Sequence, residues 1–169
     1  FNIVGLPDAS IKESKERVRS AIKNSGYSFP FSRITINLAP ANLQKIGSQL
    51  DLAIALGILD AQGVIVPEIS SNYIFLGELA LDGRLMPVEG LLPMVIAMRE
   101  KGYRDFIIPA ENVKEARLVS DVNLYPAKSL KELVDHLNKE AEITPYDPEL
   151  KPDFTNVSYD VNLSLIHIS

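Results

Sequence analysis

The order of apolar and polar positions divides the chain into alternating helices and strands. Phe1 to Val4 reads as the end of a strand, and Gly5 to Pro7 as a turn. Ile11, Val18 and Ile22 recur at spacings of seven and four, the period of one helix face, which predicts a helix capped by Asp8 or Ser10 and running to Asn24. Gly26 ends it. In Arg33 to Ala39, Ile34, Ile36 and Leu38 alternate with polar partners, the pattern of a half-buried strand. Pro40 to Gln49 reads as loop. Leu50 to Ala61 (LDLAIALGILDA) is apolar almost all round, which only burial on several sides explains.

Tyr73 to Ala80 and Arg84 to Val88 flank Leu81-Asp82-Gly83, and an Asp-Gly pair between apolar runs signals a hairpin. Leu91 to Lys101 predicts a second apolar helix, with Pro93 tolerated in its first turn. Phe106 to Pro109 and Val122 to Tyr125 read as strands, and Glu111 to Leu118 as a helix. Ser129 to Asn138 predicts an amphipathic helix with Leu130, Leu133, Val134 and Leu137 on one face. The interleaving implies an α/β class, or a two-layer α+β arrangement. Leu50–Ala61 and Leu91–Lys101 are expected as two central helices on one mixed sheet that includes Arg33–Ala39 and the hairpin.

After Lys139 the periodicity stops, and Pro145, Pro148 and Pro152 sit among charges. Residues 1–140 are therefore expected to form the domain. Residues 141–169 are expected to be a poorly packed linker, with an atypical tail at 163–169. No Met precedes Phe1, so upstream strands are expected to be missing.

Composition narrows the chemistry. The chain of 169 residues is 46% apolar with a net charge of −5, so it is not a polyanion binder as a whole. It has no cysteine, which excludes disulfides, thiol catalysis and cysteine-ligated zinc. Its two histidines, His136 and His167, offer little for a metal site or a Ser-His-Asp triad. No apolar run reaches the roughly 18–20 residues of a membrane span, and no signal peptide is visible, so a cytoplasmic location is expected.

Neither a GxxxxGK[ST] loop nor a GxGxxG turn occurs, so the chain has no recognisable nucleotide site. Lys45-Ile46-Gly47-Ser48-Gln49 leads into the apolar helix, where Ser48 is either a helix cap or a well-placed nucleophile. Lys12, Lys15, Arg17, Arg19, Lys23 and Arg33 are six cations opposed, from Ala9 to Arg33, only by Glu13 and Glu16. That face is either solvated, with pairs such as Glu13–Arg17 and Glu16–Lys23, or a phosphate-contacting surface. Lys12, Lys15, Arg19 and Lys23 are the DNA-binding candidates. Asp51 suits the first turn of a helix through the dipole, or else orients a partner loop. Glu78, inside an apolar run, demands a partner, and Arg84 across the hairpin is the expected one.

The stretch VGLPDASIKESKERVRSAIKNSGYSFPFSRITINLAPANLQKIGSQLDLAIALGIL resembles the N-terminal domain of the ComM/YifB family, also called magnesium-chelatase-related or ChlI-like proteins. FLGELALDGRLMPVEGLLP, FIIPAENVKEA and LYPAKSLKELVDHLN continue the likeness to about residue 140, and PDFTNV resembles the approach to that family's ATPase domain. The resemblance implies the fold of the Lon proteolytic domain, which uses a Ser nucleophile with a Lys base. The matching positions here are Gln49 and Leu92, neither of which can do that chemistry.

The family further implies a hexameric AAA+ helicase for branch migration in DNA uptake and recombination. This chain would be its non-catalytic assembly or DNA-contacting domain. ATP and Mg²⁺ would belong to the ATPase domain, and no cofactor or metal to these residues. The implied partners are DNA, the protein's own AAA+ domain and further copies of the chain, with no membrane. The alternatives are a divergent Lon-like peptidase using Ser48, or a subunit of a magnesium-chelatase-type ATPase.

Overall fold

A computed structural model describes residues 2–4, 8–30, 33–37, 47–66 and 73–149. The elements in order are β1 (Asn2–Val4), α1 (Asp8–Asn24), β2 (Thr35–Asn37), a 3-10 turn (Gly47–Leu50), α2 (Asp51–Ala61), β3 (Tyr73–Phe75), β4 (Glu78–Leu79) and β5 (Leu85–Met86). They continue with α3 (Leu91–Glu100), β6 (Asp105–Pro109), a 3-10 turn (Ala110–Asn112), α4 (Val113–Ala116), β7 (Asn123–Ala127) and α5 (Leu130–Leu137). Helices alternate with parallel and antiparallel strand pairs, so the chain is α/β as expected.

Among the described residues the strands pair in three groups. β1 pairs with β2 in parallel, β4 with β5 as the antiparallel hairpin, and β3-β6-β7 form a wholly parallel sheet. The run from Tyr73 to Ala80 is thus two strands. It breaks at Leu76-Gly77, where Leu76 N–H donates to Ile107 at 3.0 Å and Gly77 N–H to the Gln49 carbonyl at 2.9 Å. Two different neighbours therefore claim the two ends of one apolar run.

Helices cover both faces of the parallel sheet, a refinement of the two-layer expectation. Ile107 and Ala127, with Tyr73, Phe75 and Tyr125 beside them, face a core built from α1, α2 and α5. Phe106, Ile108 and Leu124, with Ile74, face a second core with α3 and α4. Burial on both faces is why these strands read as continuous apolar runs rather than alternating ones.

Of the two helices expected to be central, α2 is buried along most of its length. α3 is not: only Leu91 and Val95 are buried, and Ile96 is exposed. It closes the outer side of the sheet with solvent behind it, so its apolar content overstates its burial. α5 is amphipathic as its sequence requires, with Ser129 Oγ accepting from Glu132 N–H at 3.1 Å as its N-cap. Gly83 in the hairpin turn has φ of 96°, and a Cβ there would fall 2.5 Å from Ser25 Oγ. Only glycine lets the turn sit against the end of α1.

Packing continues past the boundary expected at residue 140. Ile143 is buried in the main core, and Tyr146 N–H donates to the Leu124 carbonyl at 2.7 Å. One isoleucine and one tyrosine suffice to dock a stretch whose prolines and charges suggested a linker. Residues 150–169 of that stretch, the tail at 163–169 included, lie outside the described residues, as do the turn Gly5–Pro7, Lys45 and Ile46.

Candidate functional site

The 3-10 turn Gly47–Leu50 and the loop before α3 face each other across a cleft of about 590 Å³, lined by Ser48, Gln49, Glu78, Pro87, Val88, Glu89 and Gly90. Each wall is fixed by side-chain amides. Gln49 is 3% exposed, and its Nε2 donates to the Glu89 carbonyl. Gly90 takes the left-handed conformation at φ of 71°, and a Cβ there would stand 3.3 Å from that Nε2. Asn112 holds the same loop from the other side. Its Oδ1 accepts from Val88 N–H and its Nδ2 donates to the Val88 carbonyl, both at 3.0 Å. Nδ2 also reaches Glu115 at 2.7 Å. The buried Asn112 thus stands in for a strand partner of Val88.

The structure therefore brings Ser48, Gln49 and Glu78 together at one cleft and leaves Leu92 out of its lining. Leu92 packs, half-buried, against the second core. Ser48 does not cap α2: Leu50 holds that position and makes no side-chain cap bond. Among the described residues, the charged groups lining the cleft are Glu78 and Glu89. Glu78 does not pair with Arg84. It lies opposite Met86 in the hairpin, while Arg84 Nε bonds Asp82 at 2.8 Å. Two residues apart in the turn, Asp82 reaches Arg84 first, and the Arg84 hydrogen bonds hold its carboxyl below the usual range.

Beside the cleft lies a polar centre that sequence reasoning did not assemble. Asp51 has no exposed surface and accepts from Ser14 Oγ at 2.8 Å, from Arg17 through Nε and Nη2, and from Leu79 N–H at 3.2 Å. It ties α1, α2 and β4 together, which goes well beyond favouring a helix dipole. Burial pushes the Asp51 carboxyl up, against the downward pull of Arg17, Ser14 and Leu79. The Arg17 guanidinium is held protonated chiefly by its hydrogen bond to Asp51. The available signal was Ser14 and Arg17 flanking Val18 on the core side of α1.

Arg17 is thereby removed from the basic face, though it keeps a 3.9 Å contact with Glu13 as expected. Glu16 accepts from Ser20 at 3.4 Å rather than pairing with Lys23. Lys12, Arg19 and Lys23 are exposed and Lys15 is half-buried, all on α1. Arg19 stacks over Phe29 at 5.3 Å from the ring centre, which orients its guanidinium. Among the described residues, no three His, Cys, Asp or Glu side chains are grouped to hold a metal, and no helix is long and apolar enough to cross a membrane.

Residues 1–112 match the family model described as subunit ChlI of Mg-chelatase. The chain is 40% identical over 168 residues to the competence protein ComM of Haemophilus influenzae, covering 99% of this chain and 33% of that protein. That alignment takes in nearly all of the terminal stretch after residue 149. An uncharacterized protein YifB of Escherichia coli is 42% identical over 120 residues, covering 71% of this chain and 24% of the relative. Lon protease 2 of Bacillus subtilis is 26% identical over 145 residues, 84% of this chain and 26% of the protease. The chain spans about a third or less of the length of these curated relatives.

Proposed function

Because the chain belongs to the ChlI family of Mg-chelatase-related AAA+ proteins, as a ComM-like domain, we propose that it is a non-catalytic assembly and DNA-contacting domain of an AAA+ ATPase acting in DNA uptake and recombination. The observation that carries this reading is the Gln49 amide bonded to the Glu89 carbonyl. The two elements that would carry a Lon-like Ser and Lys are here clasped by a side chain with no nucleophile. Among the described residues that line it, Ser48 shares the cleft with carboxylates and with no amine, and a hydroxyl without a base stays protonated and weakly nucleophilic near pH 7. Purified protein is expected to leave unfolded protein substrates intact, and Ser48→Ala to change nothing but stability. Covalent labelling of Ser48 by a fluorophosphonate probe would overturn this.

The DNA-contacting part rests on α1. Lys12, Lys15, Arg19 and Lys23 are spaced by three or four residues and so share one helix face. One such helix makes on the order of 3–4 phosphate contacts, too few for tight binding at physiological salt. A ring of copies, a hexamer on the family's pattern, adds avidity without new contacts. ATP and Mg²⁺ belong in this reading to the AAA+ domain, with which the present domain assembles.

In the full-length protein, changing Lys15, Arg19 and Lys23 together to Glu is expected to weaken DNA binding by about tenfold or more. It should also flatten the salt dependence, by about 0.9 in log–log slope for each phosphate no longer neutralised. ATP binding should be unchanged. Unaltered DNA binding in that variant would remove DNA contact from the proposal and leave assembly alone.

A further inference from the structure

After α5 the chain reverses at Lys139, which takes the left-handed conformation at φ of 59°. Glu140 and Ala141 donate their N–H groups back to the Asp135 carbonyl at 2.8 and 3.3 Å. The chain then runs back over the body of the domain. Ile143 inserts into the main core, its N–H donates to Nδ1 of His136 at 2.8 Å, and Tyr146 N–H bonds the Leu124 carbonyl. Leu124 belongs to β7, an outer strand of the parallel sheet. Residues 140–146 therefore form a strap along a sheet edge, and an uncovered edge is a template for pairing with another chain.

The strap depends on the protonation of one ring nitrogen. An imidazole nitrogen that accepts from an N–H carries no proton, so His136 is the neutral tautomer with its hydrogen on Nε2. That nitrogen lies 3.4 Å from the Tyr73 hydroxyl. The ring is nearly buried between Tyr73 and Tyr125, with centroids 6.0 and 5.6 Å away. A second proton has only Nδ1 to occupy, and a protonated Nδ1 directs a donor at the Ile143 donor.

We propose that His136 is an acid-sensitive latch: protonation at Nδ1 expels the Ile143 N–H, and the strap lifts from β7 while the sheet beneath it stays folded.

The surrounding charges set the direction. Burial lowers the His136 pKa, while Glu142 on the strap and Glu132 on α5 pull it upward. Burial, with Asp105 on β6 adding to it, pushes both tyrosine hydroxyls up, so they stay neutral throughout and the Tyr73 oxygen accepts from Nε2–H. With the folded value below that of the free imidazole, about 6.5, the unfolded or lifted state binds the proton first. The strap's contribution is complete above that pH and declines as the pH falls through and below it.

Amide exchange on the full chain tests this, with each rate normalised to its intrinsic value. From pH 8 to pH 5, protection at Ile143 and Tyr146 is expected to fall about tenfold or more, while Phe106 stays the more protected at both pH values because the sheet opens only in a costlier step. His136→Gln offers an acceptor that does not titrate, so its strap should show no such fall. Equal protection at both pH values in the wild type, or an equal fall in the variant, would overturn the latch. If the variant does not fold, ¹⁵N shifts of the wild-type ring decide. The Nε2–H tautomer should be present at pH 8, and the ring should titrate together with the Ile143 and Tyr146 amides. A proton on Nδ1 at pH 8, or amides silent through the ring's titration, refutes it.

Discussion

Asp51→Ala is expected to lower folding stability by about 3–5 kcal/mol, the cost of leaving a charge buried without its partner. The change strands the Arg17 guanidinium, whose side chain is 20% exposed, and removes the acceptor of Ser14 Oγ and Leu79 N–H. Arg17→Met is expected to be nearly as damaging, because it leaves the carboxylate dry. The pair itself is a different matter. Burial raises the Asp51 carboxyl more than its partners lower it. The folded chain therefore holds that proton to higher pH than the unfolded chain does, and charging the group as the pH rises past about 3.9 subtracts stability. It follows that Asp51→Leu combined with Arg17→Met should restore most of what either single change loses. Urea unfolding of Asp51→Leu, Arg17→Met and the double variant gives the coupling directly, expected at about 2 kcal/mol or more. Single variants that cost less than about 1 kcal/mol would mean the pair behaves as an exposed one.

Phe106→Ala is expected to cost a similar amount, about 3–5 kcal/mol, by a different route. Phe106 is fully buried in β6, which is hydrogen-bonded to β3 on one side and β7 on the other. Paired on both sides, the backbone around it has little room to collapse into the space the ring leaves, so the cavity persists. Leu118→Ala makes the comparison, since Leu118 is 72% exposed and its loss should stay within about 0.5 kcal/mol. A thermal or urea midpoint for Phe106→Ala close to that of Leu118→Ala would contradict the placement of β6 at the centre.

The elements themselves were legible in the chain because helix and strand periods are local. α1, α2, α5 and the hairpin lie where apolar spacing and turn residues put them, while the expected caps do not hold: α1 already begins at Asp8, and Leu50 rather than Ser48 precedes α2. What was not legible is nonlocal. Arg17 read as part of a solvated or phosphate-contacting face, and Ser14 carried no reading, until α2 brings Asp51, more than thirty residues away, against both. Glu78 read as needing Arg84, because the sequence does not show that Asp82 is the closer acceptor. At the cleft, the family likeness pointed to Gln49 and Leu92, but only the geometry shows Gln49 clasping Glu89 while Leu92 turns to the second core. His136 carried no signal beyond its rarity. Its role depends on Ile143, in a stretch whose prolines suggested a linker.

The two cores on either side of the parallel sheet also differ in how much chain each must gather. The second is drawn almost wholly from residues 74–124, with Tyr146 added at its margin. The first joins Val18 to Ile143 and so closes loops that span most of the described chain. Ordering a chain costs more entropy as the contacting residues lie further apart, although the rise is slow. Local contacts also form faster than distant ones. The central β3-α3-β6-α4-β7 stretch is thus the natural nucleus. Ile107 and Ala127 on its far face then offer a ready surface onto which α1, α2 and α5 condense, so that the order of assembly runs from the middle of the chain outward.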